Sequence, residues 1–345
     1  MKPMTITKEA NLGHYSTMGL GGTAAYKTEV TSRDDLVKAY QWAQQSKLPI
    51  IMIGGGSNII WSDEGFSGLV IINKILGYEV YQEDESNFYL TVGAGEPWDS
   101  VVERSVASGL SGIEALSLVP GSAGGTPIQN VGAYGQEIAG TLTTVEVFDT
   151  QKGDFASIAA ADCGFSYRDS RFKSADRGRY LVTALTLHLI KANPQPPFYP
   201  SVQAYFDQKG ITEPTPANLR EAVVSIRTSK LPDPALVHNT GSFFGNPVIS
   251  NQQFEALKQQ FPDLPNWPLS EGGIKLSAAW MIEQSGFKDF HDPETGMSTW
   301  PTQPLVLVNE KARKTADLIA FRDKIVSAVQ TKFNITLIQE PELLP

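Results

Sequence analysis

The sequence predicts an α+β fold of two or three domains, and three observations carry that reading. Its 345 residues exceed the length at which one hydrophobic core stops growing. Short β-rich runs bounded by turn residues alternate with a few amphipathic helical stretches. Two glycine-rich stretches, Gly54 to Asn58 and Leu118 to Gly135, break the pattern with main chain that suits neither helix nor strand.

Taken in order, an extended start is followed by Ser32, which caps a helix with Asp34 and Asp35 in its first turn and Leu36, Val37, Tyr40 and Ala43 on one face. Leu48-Pro49 ends it. Ile50 to Ile53 is a short buried strand running into Gly54-Gly55-Gly56-Ser57-Asn58, so a β-α-β unit with its glycine loop after the second strand is expected. Strands follow at Leu69–Ile72, Glu79–Tyr81 and Phe88–Val92, then a helix from Pro97 to Ser108 with Trp98, Val101, Val102 and Ser105 inward and Gly109 as its left-handed stop. Further strands lie at Thr144–Phe148 and Tyr180–Leu189, with a turn at Lys152–Asp154.

Four prolines between Asn193 and Pro200 mark a domain boundary. Thr215-Pro216 opens a helix through Leu219, Val223 and Ile226; Ser250 to Gln253 is a capping box. Pro304–Val308 reads as a strand, Thr315 as the cap of a long helix with the stripe Leu318, Ile325, Val329 and Phe333, and Ile335–Ile338 as a last element of unsettled face.

Composition narrows the function. With 28 basic and 37 acidic residues the net charge is −9, which argues against nonspecific nucleic-acid binding but allows a local basic pocket. No run reaches the roughly 18 apolar residues of a membrane span, and Met1 to Thr5 lacks the apolar core of a signal peptide, so a cytoplasmic protein is expected. A single cysteine, Cys163, leaves no internal disulfide, and four scattered histidines leave no zinc or iron site. Redox chemistry, if present, falls to an organic cofactor.

The Gly54 to Asn58 loop turns backbone N–H groups toward one point, which suits a phosphate. Its glycine spacing is not the dinucleotide fingerprint, and no Lys-Ser or Lys-Thr follows as in a Walker loop; a plain tight turn is the other reading. Leu118 to Gly135 holds five glycines, two prolines and almost no charge, and reads as main chain folded against something flat, a flavin, with a structural Ω-loop as the alternative. Arg168, beside Tyr167 at an expected strand end, can clamp a carboxylate or pair with Asp169. Cys163 reads as a small core residue. Ser242, between Gly241 and two phenylalanines, lacks the second glycine of a nucleophile elbow and is a turn residue or a proton donor in a dry pocket. Arg227 and Lys230 complement the end of a helix or bind phosphates. Glu342 matters only if the tail returns to the core.

Together, Gly54-Gly55-Gly56-Ser57-Asn58, Val119 to Gly135, Phe165-Ser166-Tyr167-Arg168, Arg227 to Pro232, Gly241-Ser242-Phe243-Phe244 with Asn246-Pro247, and Glu340-Pro341-Glu342 resemble, in order over nearly the whole chain, the UDP-N-acetylenolpyruvoylglucosamine reductase family. The Tyr199 segment resembles the longer type, in which a tyrosine loop folds over the substrate. The resemblance implies a vanillyl-alcohol-oxidase-like, PCMH-type FAD fold in two subdomains, residues 1–67 with 333–345 and residues 68–213. It also implies an inserted α+β substrate domain at 214–332. It implies non-covalent FAD, two hydride transfers from NADPH through the flavin to the enolpyruvyl ether of UDP-N-acetylglucosamine-enolpyruvate, and a monomer with no nucleic-acid or membrane partner. Arg168 with Glu342 would stabilise the enolate, and Ser242 would protonate the adjacent carbon. Gly54, Gly55, Gly56, Ser57, Asn58, Gly121, Ser122, Gly125, Ile128, Gly132 and Ala133 would hold FAD; Tyr134, Tyr167, Tyr199, Arg227, Lys230, Asn246 and Gln303 would hold substrate. Gly245 stands where many relatives carry lysine, and Trp267 where a tyrosine is common. Two other readings stay open: a sugar or alcohol oxidase of the same fold, and a nucleotide-binding scaffold without catalysis.

Overall fold

Ser32 behaves as its position predicts: its Oγ accepts from the Asp35 N–H at 3.1 Å and starts α1 (Arg33–Gln45), whose Leu36, Ala39 and Ala43 are buried. The structure, a computed structural model, describes residues 4–269 and 272–345. Met1 to Pro3, which the sequence reading judged for a signal peptide, lie outside the described residues, as do Ser270 and Glu271. The chain divides into two compact units, Met1–Ala10 with Ala24–Gly55 and Phe66–Ser229, and Asn11–Thr23 with Gly56–Gly65 and Lys230–Pro345.

In the first unit the expected β-α-β element forms with another strand between its arms. Thr23–Val30 and Ile50–Ile53 both run parallel to Phe66–Asn73 and flank it, with Ile6–Asn11 at the edge. Burial of every position of Phe66–Asn73 but one explains its nearly continuous apolar run, since the middle strand is covered on both faces. A second, antiparallel sheet has the order Asp154–Ala159, Leu142–Asp149, Tyr180–Ile190, Asn87–Gly93, Tyr78–Gln82. Against it packs α2 (Trp98–Ala107), burying Trp98, Val101, Val102 and Ser105 as its periodicity requires. Gly109, at φ 72°, stops it.

The proline-rich segment 193–200 runs within this unit and leads into α3 (Pro200–Lys209), a helix the sequence reading missed. Only Val202 and Phe206 are buried on it, too few to show a period; Pro200 at the first turn and Gly210 at the C-cap were the available signals. Thr215 caps α4 (Pro216–Lys230), its Oγ1 accepting from the Asn218 N–H at 3.3 Å. The two helices share a core of Val202, Phe206, Leu219, Ala222 and Val223, on which Tyr134 and Phe198 pack.

In the second unit Asn239–Ser242, Gln303–Asn309, Met297–Trp300 and His291–Asp292 form an antiparallel sheet in that order, and Val248–Ile249, Ile274–Leu276 and Asn266–Pro268 a smaller one. The Ser250 capping box opens α5 (Asn251–Gln260), and Ser277 caps α6 (Ala278–Gln284). The long helix α7 (Thr315–Phe333) buries Leu318, Phe321, Ile325, Val329 and Phe333.

Three expectations need correction. Thr315 is the first residue of α7, not its cap: its Oγ1 donates to the Trp61 carbonyl at 2.6 Å. The Asp63 carboxylate, over 250 residues earlier in the chain, accepts from the N–H groups of Thr315 at 2.7 Å and Ala316 at 2.9 Å. Ile335–Ile338 is not a strand; Ile335 and Leu337 simply plug the core, and Ile338 is 76% exposed. The final strand is Glu342–Leu344, which pairs parallel with Ile59–Trp61. Arg168 sits in a turn rather than at a strand end, with φ 57° beside a Ser166–Asp169 bridge, because no alternating apolar positions continue past Cys163 to make a strand.

Candidate flavin and substrate site

The two glycine-rich stretches meet in the first unit. A Cβ on Gly54 would run into Ser122 Oγ, and one on Gly55 would stand 2.9 Å from the Gly121 Cα, so only glycines let the loops approach so closely. Hydrogen bonds fix the second loop on the start of α2: Trp98 N–H donates to the Gly121 carbonyl at 3.0 Å, and Ala123 N–H to the Glu96 carbonyl at 2.8 Å. Gly125 closes a tight turn, and a Cβ added there would meet nothing within 4 Å, so bare main chain faces open space. The Ile128 carbonyl accepts from Ser170 Oγ at 2.6 Å. Gly132–Ala133 is half of a two-residue ribbon with Gln136–Glu137. A cradle of small residues backed by a second loop, with an open backbone face, fits a flat dinucleotide.

Beyond the ribbon the substrate candidates of this unit converge. Arg168 Nη2 donates to the Gly132 carbonyl at 3.1 Å, and its guanidinium lies 5.1 Å from the Tyr167 ring. Tyr134, at φ 48°, meets Tyr199 edge-on at 5.5 Å. Behind it, Arg227 is not a surface charge closing α4 but reaches inward, its Nη2 donating to the Leu118 carbonyl at 3.2 Å. Its Nε is sealed from solvent and meets no acceptor among the described residues. Burial lowers the Arg227 pKa, partly offset by the Tyr134 hydroxyl, and burial raises Tyr134.

In the second unit the tail comes back to the catalytic candidates. Glu340 N–H donates to the Phe243 carbonyl at 2.9 Å and Gly245 N–H to the Ile338 carbonyl at 3.0 Å, laying the tail beside the Ser242 segment. Glu342 N–H then donates to the Asn58 carbonyl at 3.0 Å. Ser242 pairs with Val306, just after Gly241 at φ 71°. Gly56, at φ 70°, accepts from Thr17 N–H at 3.0 Å, and Ser57 and Asn58 complete the loop. Thr302 Oγ1 donates to the Lys230 carbonyl at 2.7 Å, which sets Lys230 next to Gln303. Asn246 has a duty the sequence did not reveal: its Oδ1 accepts from the Ala278 N–H at 3.0 Å at the start of α6.

Cys163 is fully buried and its thiol is pushed up to about 11 by that burial, as a core residue requires. Sequence reasoning missed Lys275, whose Nζ lies 6.0 Å from the Trp267 ring across paired strands, and missed Asp99 and Arg220, which hold the start of the central loop. No linear signal joins residues whose proximity comes from strand register or helix packing.

Comparison with known proteins agrees with this geometry. A family profile described as FAD binding domain matches residues 24–158, and one for the C-terminal domain of UDP-N-acetylenolpyruvoylglucosamine reductase matches residues 233–344. The reductase of that name from Cupriavidus pinatubonensis is 37% identical over 337 residues, covering 96% of this chain and 97% of that protein. The one from Alcanivorax borkumensis is 38% identical over 341 residues, covering 99% and 97%. The crystal structure of the Thermus caldophilus reductase, 24% identical, superimposes with a TM-score of 0.68 over 99% of this chain and all of that one, which shows the shared fold. An α+β fold with a cradle for FAD, and full-length relatives at this identity, place the chain in the UDP-N-acetylenolpyruvoylglucosamine reductase family.

Proposed function

We propose that the chain uses NADPH and FAD to reduce the enolpyruvyl ether of UDP-N-acetylglucosamine-enolpyruvate to the D-lactyl ether, giving UDP-N-acetylmuramate for peptidoglycan precursors, as a cytoplasmic monomer. The observation that carries this reading is the return of the tail along the Ser242 segment, which gives Glu342 a fixed place beside Asn58. When bound, FAD supplies the two-electron exchange between the nicotinamide and the enolpyruvyl group. Gly54, Gly55, Gly121 and Ser122, whose main chains pack closely, would hold it, and Gly56, Ser57, Asn58, Gly125, Ile128, Gly132 and Ala133 belong to the same proposed set.

Addition of a hydride to the methylene carbon forms a C–H bond there and breaks the C=C π bond, whose electron pair moves to the carbon next to the carboxylate and spreads onto the carboxylate oxygens. Ser242 Oγ gives its proton to that carbon. Arg168, already oriented by the Gly132 carbonyl, balances the carboxylate charge with Glu342 as partner. Tyr134, Tyr167, Tyr199 and Arg227, with Lys230, Asn246 and Gln303, recognise the nucleotide and sugar. The division at residues 67/68, 213/214 and 332/333 into two FAD subdomains and a substrate domain belongs to the same reading.

An anaerobic absorbance titration tests it. NADPH should bleach the flavin and the enolpyruvyl nucleotide should restore its colour. A flavin that stays reduced after that nucleotide is added, yet reoxidises rapidly in oxygen, would instead mark an oxidase.

A further inference from the structure

Leu118 opens the central loop with φ 54°, a left-handed conformation that strains a branched side chain unless neighbours hold it. Both of its peptide groups are gripped. Its N–H donates to Asp99 Oδ1 at 2.6 Å, and its carbonyl accepts from Arg227 Nη2 at 3.2 Å. Asp99 lies in the first turn of α2 and is itself clamped bidentately by Arg220, at 2.6 and 3.0 Å. Burial alone would raise the Asp99 carboxyl, but the hydrogen bonds from Arg220 and Leu118 outweigh it and leave it below its ordinary value. Arg220 and Arg227 stand two turns apart on one face of α4, so a single helix holds both sides of the Leu118 peptide. All of α4 falls between the two matched family regions, which end at 158 and begin at 233.

We propose that Asp99 and Arg220 are positioning residues for the flavin. Through the Leu118 N–H they hold the Leu118–Ser122 segment in the conformation that packs on Gly54 and Gly55. The inference rests on the FAD reading above. Neither side chain needs to touch the cofactor. Their effect is on the fraction of molecules whose loop is already in binding form, and the apparent dissociation constant rises as the reciprocal of that fraction. A charge-assisted pair of this kind has well-defined geometry, so its loss frees the loop without unfolding the core that Trp98, Val101 and Val102 build beneath it.

The test is flavin-fluorescence titration of the stripped full-length protein with FAD, with circular dichroism as a check of folding. Asp99→Ala should weaken FAD binding by about 10- to 100-fold, the factor carried by one hydrogen bond to a charged group. Arg220→Met should weaken it less, and Arg220→Lys should recover part of that loss. At saturating FAD the turnover of all three should approach that of the unaltered chain, whereas general structural damage would not be repaired by cofactor. Wild-type FAD affinity in a folded Asp99→Ala protein overturns the proposal. If Asp99→Ala fails to fold, unchanged affinity in Arg220→Met overturns it equally. An unaltered chain that binds no FAD would overturn the functional reading as well, which separates the two failures.

Discussion

Gly55 lies so close to Gly121 that a Cβ on the first would stand 2.9 Å from the Cα of the second. Two loops distant in sequence thereby form one surface of main chain. Gly55→Ala must push them apart, and overpacking of this kind costs about 1–3 kcal/mol. A lower denaturant midpoint together with loss of flavin on gel filtration is the expected result; a yellow protein of unchanged stability would argue that the loops can part without consequence.

Ser242→Ala removes the proposed proton donor but leaves the glycine cradle intact. Flavin reduction by NADPH should be nearly unchanged, while reoxidation by the enolpyruvyl nucleotide slows about 100-fold or more, the usual contribution of a general acid. Stopped-flow absorbance separates the two half-reactions, and equal slowing of both would remove Ser242 from the acid role.

The Asp63 carboxylate performs the capping of α7 that Thr315 was expected to do. Asp63→Ala should destabilise the chain by about 1 kcal/mol, the typical value of a helix cap. Thr315→Val instead removes the hydroxyl that donates to the Trp61 carbonyl. Urea unfolding of both variants shows whether the helix start depends on the distant aspartate.

Asp149 is buried and held bidentately by Arg179 at 2.7 and 3.0 Å, which lowers its carboxyl to about 2. Because the folded-state value lies below the unfolded one, the stability it adds is complete above about pH 4 and is lost as pH falls through the folded value. Arg179→Met should lower stability at neutral pH and flatten the decline between about pH 4 and 2. Denaturant midpoints measured across that window would show a parallel decline in both proteins if the pair contributes nothing.

Cys163, with its thiol pushed up to about 11 and no exposed surface, should resist a thiol-specific chromogenic reagent in the native protein and react fully once unfolded. Rapid native labelling would place it at a mobile or accessible position instead.

Much of this was readable in one dimension because local chemistry acts over a few residues. Ser32, Thr215 and Ser250 mark helix starts through hydrogen bonds to N–H groups three positions on; the Trp98 to Ser105 period puts one face inward; Gly109 stops a helix because it accepts a left-handed turn. The ordered motifs from Gly54 to Glu342 likewise point to the family by residue type and spacing alone. What the sequence could not contain were relations between distant segments: Asp63 with Thr315, Asp99 with Leu118, Asn246 with Ala278, the tail strand Glu342–Leu344 with Ile59–Trp61. These contacts depend on how helices and strands pack, a collective outcome of core burial, and a carboxylate or amide carries no mark in the sequence of which distant N–H it will meet. The sequence by itself therefore determined the elements and the class of chemistry, while only the tertiary structure decided which side chains hold the glycine loops and the returning tail in place.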